Sequence, residues 1–247
     1  MSDFCADLDL LFTELPFIDR FKAARDNGFT LAEFTVPENV DLGKLGDACA
    51  CDGLKIAGIS APKNDVIPAL NKKTHALFEE RFARLSDIAD FIAAPFIYIP
   101  PVAGTIDTAV FGAAMKRAAK IARQNKQKIL FGFENPIEND NVFPASTKEV
   151  LDLLNLLDDD RVFGILYDVY HAQTGEGGLS NTLETLMPLI GHVRIAGAPM
   201  RGEPDDGEIN YPYLLALLNA HGYTHAVSAS YVPRIDTISG LRWMKTF

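Results

Sequence analysis

Five side chains that can move a proton or hold an anion stand near the ends of short apolar runs in this 247-residue chain. They are Glu134, Asp168, His171, Arg194 and Arg201. A positioned carboxylate or imidazole can remove a proton from carbon and return it. A guanidinium stays protonated at any working pH and grips an anionic group through forked hydrogen bonds. Together these residue types suit proton transfer on a small organic molecule.

These residues need a scaffold that brings strand ends together, and the sequence pattern predicts one. Eight short β-rich apolar runs alternate with longer helical patterns, as in a parallel sheet with crossover helices. Eight such pairs in this length predict an α/β fold, a (β/α)8 TIM barrel formed by a single domain over 1–247. The predicted strands are Phe4–Leu8, Leu31–Thr35, Lys55–Ser60, Phe96–Ile99, Lys128–Phe133, Phe163–Tyr167, His192–Ala196 and Ala226–Tyr231.

A doubly wound open sheet is the alternative fold. It would place a glycine-rich phosphate loop after the first strand, and the sequence has none there. The one long irregular stretch, Gly197–Asn210, follows the predicted seventh strand. Loops at that end of a barrel build the active site. We therefore expect Arg201 and Glu203, both in this stretch, to border the site.

Composition excludes several classes of partner. The formal net charge is −10 and the pI is about 4.9, so the surface repels nucleic-acid phosphates and anionic membranes. The three cysteines, Cys5, Cys49 and Cys51, do not make a disulfide framework and are expected to be reduced. The first residues lack the basic and apolar regions of a signal peptide, and no apolar run is long enough to cross a bilayer. We expect a soluble, cytoplasmic protein.

Several segments resemble one known family. Phe12-Thr-Glu-Leu-Pro-Phe17 resembles the first βα unit of hydroxypyruvate isomerases, which are xylose-isomerase-like barrels. Asp168-Val-Tyr-His171 resembles that family's Asp-x-x-His motif at the end of strand six. The run Ile195–Pro212 is the most specific match, and Tyr231-x-Pro233-Arg234 completes the pattern. The resemblance covers nearly the whole chain.

The resemblance implies a reaction and a cofactor. Members of the family interconvert a hydroxy-aldehyde and a hydroxy-ketone, or the related keto acids, by moving a proton between adjacent carbons through an enediol. A divalent metal polarises the substrate oxygens. Its ligands in the family are Glu, Asp, Gln or His, and Glu, from the ends of strands five to eight. The two glutamates also carry the proton.

This sequence keeps one of those four ligands, Asp168. An ungapped comparison places Gly132, Arg194 and Ser230 at the other three positions. A guanidinium about 5 Å from a divalent cation would be repelled by roughly 6–7 kcal/mol at an effective dielectric constant near 20. We therefore expect no metal cofactor. We also expect Arg194 to take the place of the metal's charge and to pair with Asp168 inside the barrel mouth.

The sequence-based hypothesis is a metal-free, hydroxypyruvate-isomerase-like protein. If active, it is an intramolecular aldose–ketose type isomerase whose ligand is a small anionic sugar acid or hydroxy-keto acid. Glu134 lies one strand repeat, about 7 Å, beyond Gly132 and is the candidate replacement for the missing glutamate. The expected catalytic residues are Glu134 and His171, and the expected substrate-binding residues are Asp168, Arg194, Arg201, Glu203 and Ser230.

Two questions stay open at the level of sequence. A non-catalytic barrel that binds a small sugar-acid ligand or a partner protein is the alternative function, since a fold alone does not supply an activity. Nucleic-acid-processing relatives of the same barrel need several His, Asp and Glu metal ligands and are disfavoured. A homo-oligomer is compatible with the sequence.

Overall fold

The barrel predicted from the sequence is confirmed. The computed structural model describes residues 3–50, 53–104 and 106–247, and in this part of the chain eight parallel strands close into a barrel. Each strand pairs with the next one along the chain, and the eighth pairs with the first. In chain order, the first to eighth strands are Phe4–Asp7, Leu31–Thr35, Lys55–Ser60, Phe96–Ile99, Lys128–Phe131, Phe163–Asp168, Ile190–Ile195 and Val227–Ala229.

Helices cover the outside of the barrel. Their N-termini carry the caps that the sequence contains: the Ser146 Oγ accepts from the Glu149 backbone N–H, and the Asn210 side chain accepts from the Tyr213 N–H. No helix of the described residues is long and apolar enough to span a membrane. The α-helices are Phe17–Asp26, Leu42–Cys49, Lys63–Val66, His75–Phe91, Thr108–Gln124, Thr147–Leu157, Val169–Gly175, Leu179–Leu186, Tyr211–Ala220 and Thr237–Gly240.

The predicted strand ends differ from the observed ones where the sheet is irregular. The fifth strand stops at Phe131 rather than Phe133, because its pairing with the sixth strand ends there. The seventh strand begins at Ile190 rather than His192, next to a register shift between Ile165 and Leu166. A two-stranded antiparallel ribbon, which the sequence pattern did not reveal, joins the loops after the fourth and fifth strands.

The barrel is filled by a small apolar cluster of its own. This cluster contains Cys5, Ala57, Phe96, Tyr98, Leu130 and Leu166. A larger core lies between the strands and the surrounding helices. Cys5 and Cys49 are free thiols, as expected, and Cys51 lies outside the described residues. Apolar burial at both levels stabilises the scaffold that carries the strand ends.

One buried tyrosine closes the long loop after the seventh strand. The Tyr211 hydroxyl donates to the Ala196 carbonyl oxygen over 2.6 Å and accepts from the Ala196 N–H over 3.0 Å. Tyr211 begins the helix Tyr211–Ala220 and is fully buried. These two bonds fasten both ends of the stretch 197–210 to the barrel.

Tyr211→Phe should therefore lower the free energy of unfolding by about 1–3 kcal/mol, because it leaves a buried peptide group without its partners. Urea denaturation measures the change. Tyr213→Phe is the matched control, since Tyr213 lies two residues away and is 51% exposed. Equal stabilities of the two variants would show that the Tyr211 bonds do not hold this loop.

Candidate functional site

A cavity of about 460 Å³ lies at the C-terminal ends of the strands. This is the end at which TIM barrels carry their active sites. The cavity's charged and imidazole lining residues are Asp7, Asp9, Lys63, Glu134, Glu138, Asp168, His171, Arg194 and Arg201. Carboxylates and cations from several strands and loops thus meet in one cavity. We call it the mouth cavity.

Arg194 reaches across the barrel to the second strand. Its Nε and Nη2 atoms each donate to one oxygen of Glu33 over 2.9 Å, and Nη2 also lies 3.3 Å from the Ser60 Oγ. The guanidinium stands 4.9 Å from the centre of the Tyr98 ring. The pairing of the second and third strands shifts in register between Ala32 and Glu33, next to the carboxylate that faces Arg194. The forked pair fixes the plane of the guanidinium.

The expected pair between Arg194 and Asp168 is wrong. The two residues are neighbours in the register of the sixth and seventh strands, but their charged groups find other partners. Glu33 is 1% exposed, and a carboxylate so deeply buried needs a cation. Asp168 receives its cation from Arg201 in the loop after the seventh strand. Arg194 does lie in the barrel mouth, as expected.

Asp168 is the centre of a second ionic cluster. Its Oδ2 accepts from the Arg201 Nη2 over 2.9 Å, and its Oδ1 caps the helix Val169–Gly175 by accepting from two backbone N–H groups. Burial alone would raise the pKa of the Asp168 carboxyl. The nearby charge of Arg201 acts against burial, and the pKa lies below its ordinary value. Asp168 is therefore a fixed anion.

His171 faces hydrogen-bond donors on both sides. Its Nε2 lies 2.8 Å from the Arg201 Nη1, and its Nδ1 lies 2.9 Å from the Asn135 Nδ2. The amide oxygen of Asn135 accepts from the Glu138 N–H, so the amide nitrogen is the atom that faces His171. Burial lowers the pKa of His171, so the ring is neutral at pH 7. A neutral imidazole has one acceptor nitrogen and cannot satisfy both donors. The contact to Arg201 is the one that a ligand entering the cavity can replace.

Asp7, which sequence reasoning missed, joins the same network. The Ser230 Oγ donates to the Asp7 Oδ2 over 2.8 Å, and Arg201 Nη2 lies 3.3 Å from the same Ser230 oxygen. Burial raises the pKa of Asp7 to about 7, although the nearby Arg194 acts to lower it. Its position as a carboxylate that ends an apolar strand is the signal that could have revealed it. A carboxyl that titrates near neutrality suits acid–base work.

The space beside Gly132 is closed. A Cβ atom at this position would lie 2.8 Å from the Leu166 carbonyl oxygen and 3.1 Å from the Tyr98 hydroxyl oxygen. Both distances are shorter than ordinary contacts of a Cβ atom. The glycine therefore leaves no vacant room for a longer side chain. Tyr98 lies where such a side chain would point.

The two remaining predicted residues lie in different surroundings. Glu134 lines the mouth cavity, where its Oε1 accepts from the Lys63 Nζ over 2.9 Å. Glu203 does not line it, because its Oε1 accepts from the Arg234 backbone N–H and holds two loops together. The structure thus gathers Glu134, Asp168, His171, Arg194, Arg201 and Ser230 around one cavity and leaves Glu203 outside its lining.

Comparison with known proteins gives a consistent result. The sequence model of the xylose isomerase-like TIM barrel family matches residues 21–247. The chain is 30% identical to a 2-oxo-tetronate isomerase of Haemophilus influenzae and 29% identical to the hydroxypyruvate isomerase of Escherichia coli, in each case over 100% of both chains. A crystal structure titled AP endonuclease, family 2, from Brucella melitensis superposes with a TM-score of 0.93 at 26% identity, covering 100% of this chain and 99% of that one.

Asp7→Asn should change how stability depends on pH. The folded-state pKa of Asp7 is raised from its ordinary value of 3.8 to about 7, so the folded protein binds the proton more tightly than the unfolded chain does. The wild type therefore loses stability as pH rises from 4 to 7. Asn has no proton to lose, so the variant should gain about 2–4 kcal/mol relative to wild type over this range. Urea denaturation at several pH values measures this, with the exposed Asp19→Asn as control. Parallel curves for wild type and Asp7→Asn would contradict the assignment.

Proposed function

Because the chain belongs to the xylose isomerase-like TIM barrel family, we propose that this hydroxypyruvate-isomerase-like protein isomerises a small hydroxy-keto acid without a divalent metal. The observation that carries the proposal is the forked pair of Arg194 with Glu33 in the mouth cavity. It sets a permanent cation at a position where the family has a neutral metal ligand.

The residues at the family's ligand positions do not fit a divalent metal. Gly132 offers no donor atom and no room for one. Ser230 directs its hydroxyl hydrogen toward Asp7, and Asp168 is already bound to Arg201. Divalent magnesium or manganese needs several oxygen ligands, and the four ligand positions of the family supply one carboxylate here, Asp168. The charge of Arg194 opposes a metal further.

Arg194 can polarise a substrate oxygen in the metal's place. Its Nη1 makes no hydrogen bond to any residue in the described ranges, while Nε and Nη2 are held by Glu33. The group is oriented before substrate arrives, so it stabilises a developing enediolate oxygen without reorganisation. Proton removal from the adjacent carbon then requires a base on the same cavity wall.

The proton transfers are assigned to three residues. Glu134, paired with Lys63 in the mouth cavity, is the base that removes the proton from carbon. Asp7 returns a proton to the neighbouring carbon from the side of the first and eighth strands, where Ser230 holds it. Neutral His171 accepts from Asn135 at Nδ1, so its Nε2 carries a proton, which it gives to the carbonyl oxygen and takes back from the hydroxyl oxygen. One proton thus moves between the carbons and one between the oxygens, which is the net isomerisation, and solvent carries the proton from Glu134 back to Asp7.

The proposed substrate class follows from the relatives and from the two arginines. The curated relatives are named for hydroxypyruvate and 2-oxo-tetronate, which are small 2-oxo acids. Arg201 touches Asp168, His171 and Ser230 at the cavity wall and is placed to receive a substrate carboxylate. Such a carboxylate would also relieve the conflict between Arg201 and His171. The cytoplasmic location, like the substrate itself, is part of this proposal.

Solvent exchange tests the proposal without a known product. Hydroxypyruvate and 2-oxo-tetronate should each be incubated with the protein in D2O containing EDTA, and deuterium at the carbon next to the carbonyl followed by NMR. We expect exchange that EDTA does not reduce and that His171→Gln slows by about 10²–10⁴-fold. His221→Gln, at an exposed histidine, is the control. Exchange that requires added Mn²⁺ would refute metal-free action. Ligand binding without exchange would favour the non-catalytic alternative.

Restoring the family's ligands should fail to restore its chemistry. The variant Gly132→Glu, Arg194→Gln, Ser230→Glu should bind no stoichiometric manganese by elemental analysis. The reason is that a side chain at 132 meets the Leu166 backbone oxygen at 2.8 Å. Gly132→Ala alone should cost about 1–3 kcal/mol of unfolding free energy. Added metal should not raise the wild-type turnover of hydroxypyruvate. Rapid metal-dependent turnover by the wild type would overturn this prediction.

A further inference from the structure

A second and larger cavity opens at the other end of the barrel. Its volume is about 1280 Å³, and it lies among the N-terminal ends of the strands. Residues of the third, fourth, fifth, seventh and eighth strands or of the turns before them contribute to its lining. We call it the lower cavity. None of the residues assigned to the proposed reaction lines it.

Leu130 lies at the inner end of the lower cavity. Gly164 and Gly191, on the sixth and seventh strands, leave room for its side chain: a Cβ at Gly191 would lie 2.8 Å from a Leu130 methyl carbon, and one at Gly164 would lie 3.0 Å away. TIM barrels normally fill their interior with layers of bulky side chains. Here Leu130 forms a floor and the space beneath it is open.

The walls of the lower cavity are mainly apolar. Ile56, Phe96, Leu130 and Ile190 line it and are each less than a tenth exposed. Concave, mostly apolar walls with a few polar groups are typical of sites for small organic molecules. These apolar walls are buried at the base of a cleft. They therefore favour a compact ligand that enters the barrel over a partner that needs a flat surface.

The rim of the lower cavity is basic, in contrast to the acidic chain. Lys55, Lys126 and Lys128 line it and are exposed. Among its described lining residues the one carboxylate is Glu184, whose Oε1 lies 3.7 Å from the His221 Nε2. In a protein of formal net charge −10, three exposed lysines around an apolar cleft form a local positive field. This field favours a negative head group.

One buried polar residue lies at the inner end. His192 lines the lower cavity, is 1% exposed, and packs against Phe96 with ring centroids 4.9 Å apart. Its Nε2 lies 3.4 Å from the Glu33 Oε1 without the alignment of a hydrogen bond. The cavity thus ends beside the carboxylate that holds Arg194.

We propose that the lower cavity binds a small amphipathic organic anion, with its apolar body against Phe96 and Leu130 and its acidic head among Lys55, Lys126 and Lys128. This site is separate from the proposed isomerase function and does not depend on it. The ligand is a monoanion with a ring or short chain, because the walls offer apolar contact and the rim offers charge.

The probe for this site is 8-anilinonaphthalene-1-sulfonate, an aromatic monoanion whose fluorescence rises in apolar surroundings. We expect one molecule to bind per folded chain. The double variant Lys126→Glu, Lys128→Glu should weaken binding by about tenfold or more, because it reverses two charges near the sulfonate. Lys72→Glu, Lys73→Glu is the matched control: it changes net charge equally, and both lysines are exposed in a short helix that does not line the cavity. Ala226→Phe, which narrows the cavity from within, should also reduce binding.

Each outcome decides the proposal. Loss of binding in the Lys126–Lys128 variant but not in the Lys72–Lys73 variant supports it, and thermal melting shows whether both variants are folded. Equal losses in the two variants would mean that the probe senses only net charge and would overturn the proposal. So would tight binding of the uncharged N-phenyl-1-naphthylamine, or no binding of the sulfonate to the wild type. These results are independent of the exchange assay.

Discussion

The requirement that a guanidinium inside a barrel be paired with a carboxylate governs the upper half of this structure. Arg194 and Glu33 meet this requirement through two parallel hydrogen bonds of 2.9 Å. Burial opposes the charge of Glu33, yet the charge of Arg194 acts to hold its pKa far below the ordinary value. Removing one partner of such a pair typically costs about 3–5 kcal/mol, because the other charge is left buried and alone. Asp168, the neighbour of Arg194 in the sheet, is thereby left to pair with Arg201.

The pair couples the residues at several positions around the mouth cavity. Arg194 needs Glu33 on the second strand, and its guanidinium packs on the Tyr98 ring, 4.9 Å from the ring centre. Tyr98 in turn needs Gly132, because any side chain there would collide with the Tyr98 hydroxyl oxygen or the Leu166 carbonyl oxygen. Asp168, released from Arg194, pairs with Arg201. A residue at one of these positions therefore restricts what the others can be.

The sequence predicted the scaffold better than the pairing. The strands Leu31–Thr35, Lys55–Ser60 and Phe96–Ile99 have the bounds predicted from their apolar patterns. The alternation of side chains along a strand also placed Arg194 in the barrel mouth. Its partner was missed because Glu33 lies 161 residues away, and the choice between Asp168 and Glu33 depends on a register shift that no sequence pattern announces. Asp7 was missed because its raised pKa results from burial in the folded barrel, which its neighbours in sequence do not reveal.

The same pair also lies between the two cavities. Arg194 faces the mouth cavity, Glu33 holds it from below, and the His192 Nε2 lies 3.4 Å from Glu33 on the side of the lower cavity. Glu33, itself buried, thus has Arg194 on one side and the buried imidazole of His192 on the other. Arg194 is the proposed electrophile. Glu33 therefore contacts both the group that polarises the substrate and the histidine that lines the lower cavity.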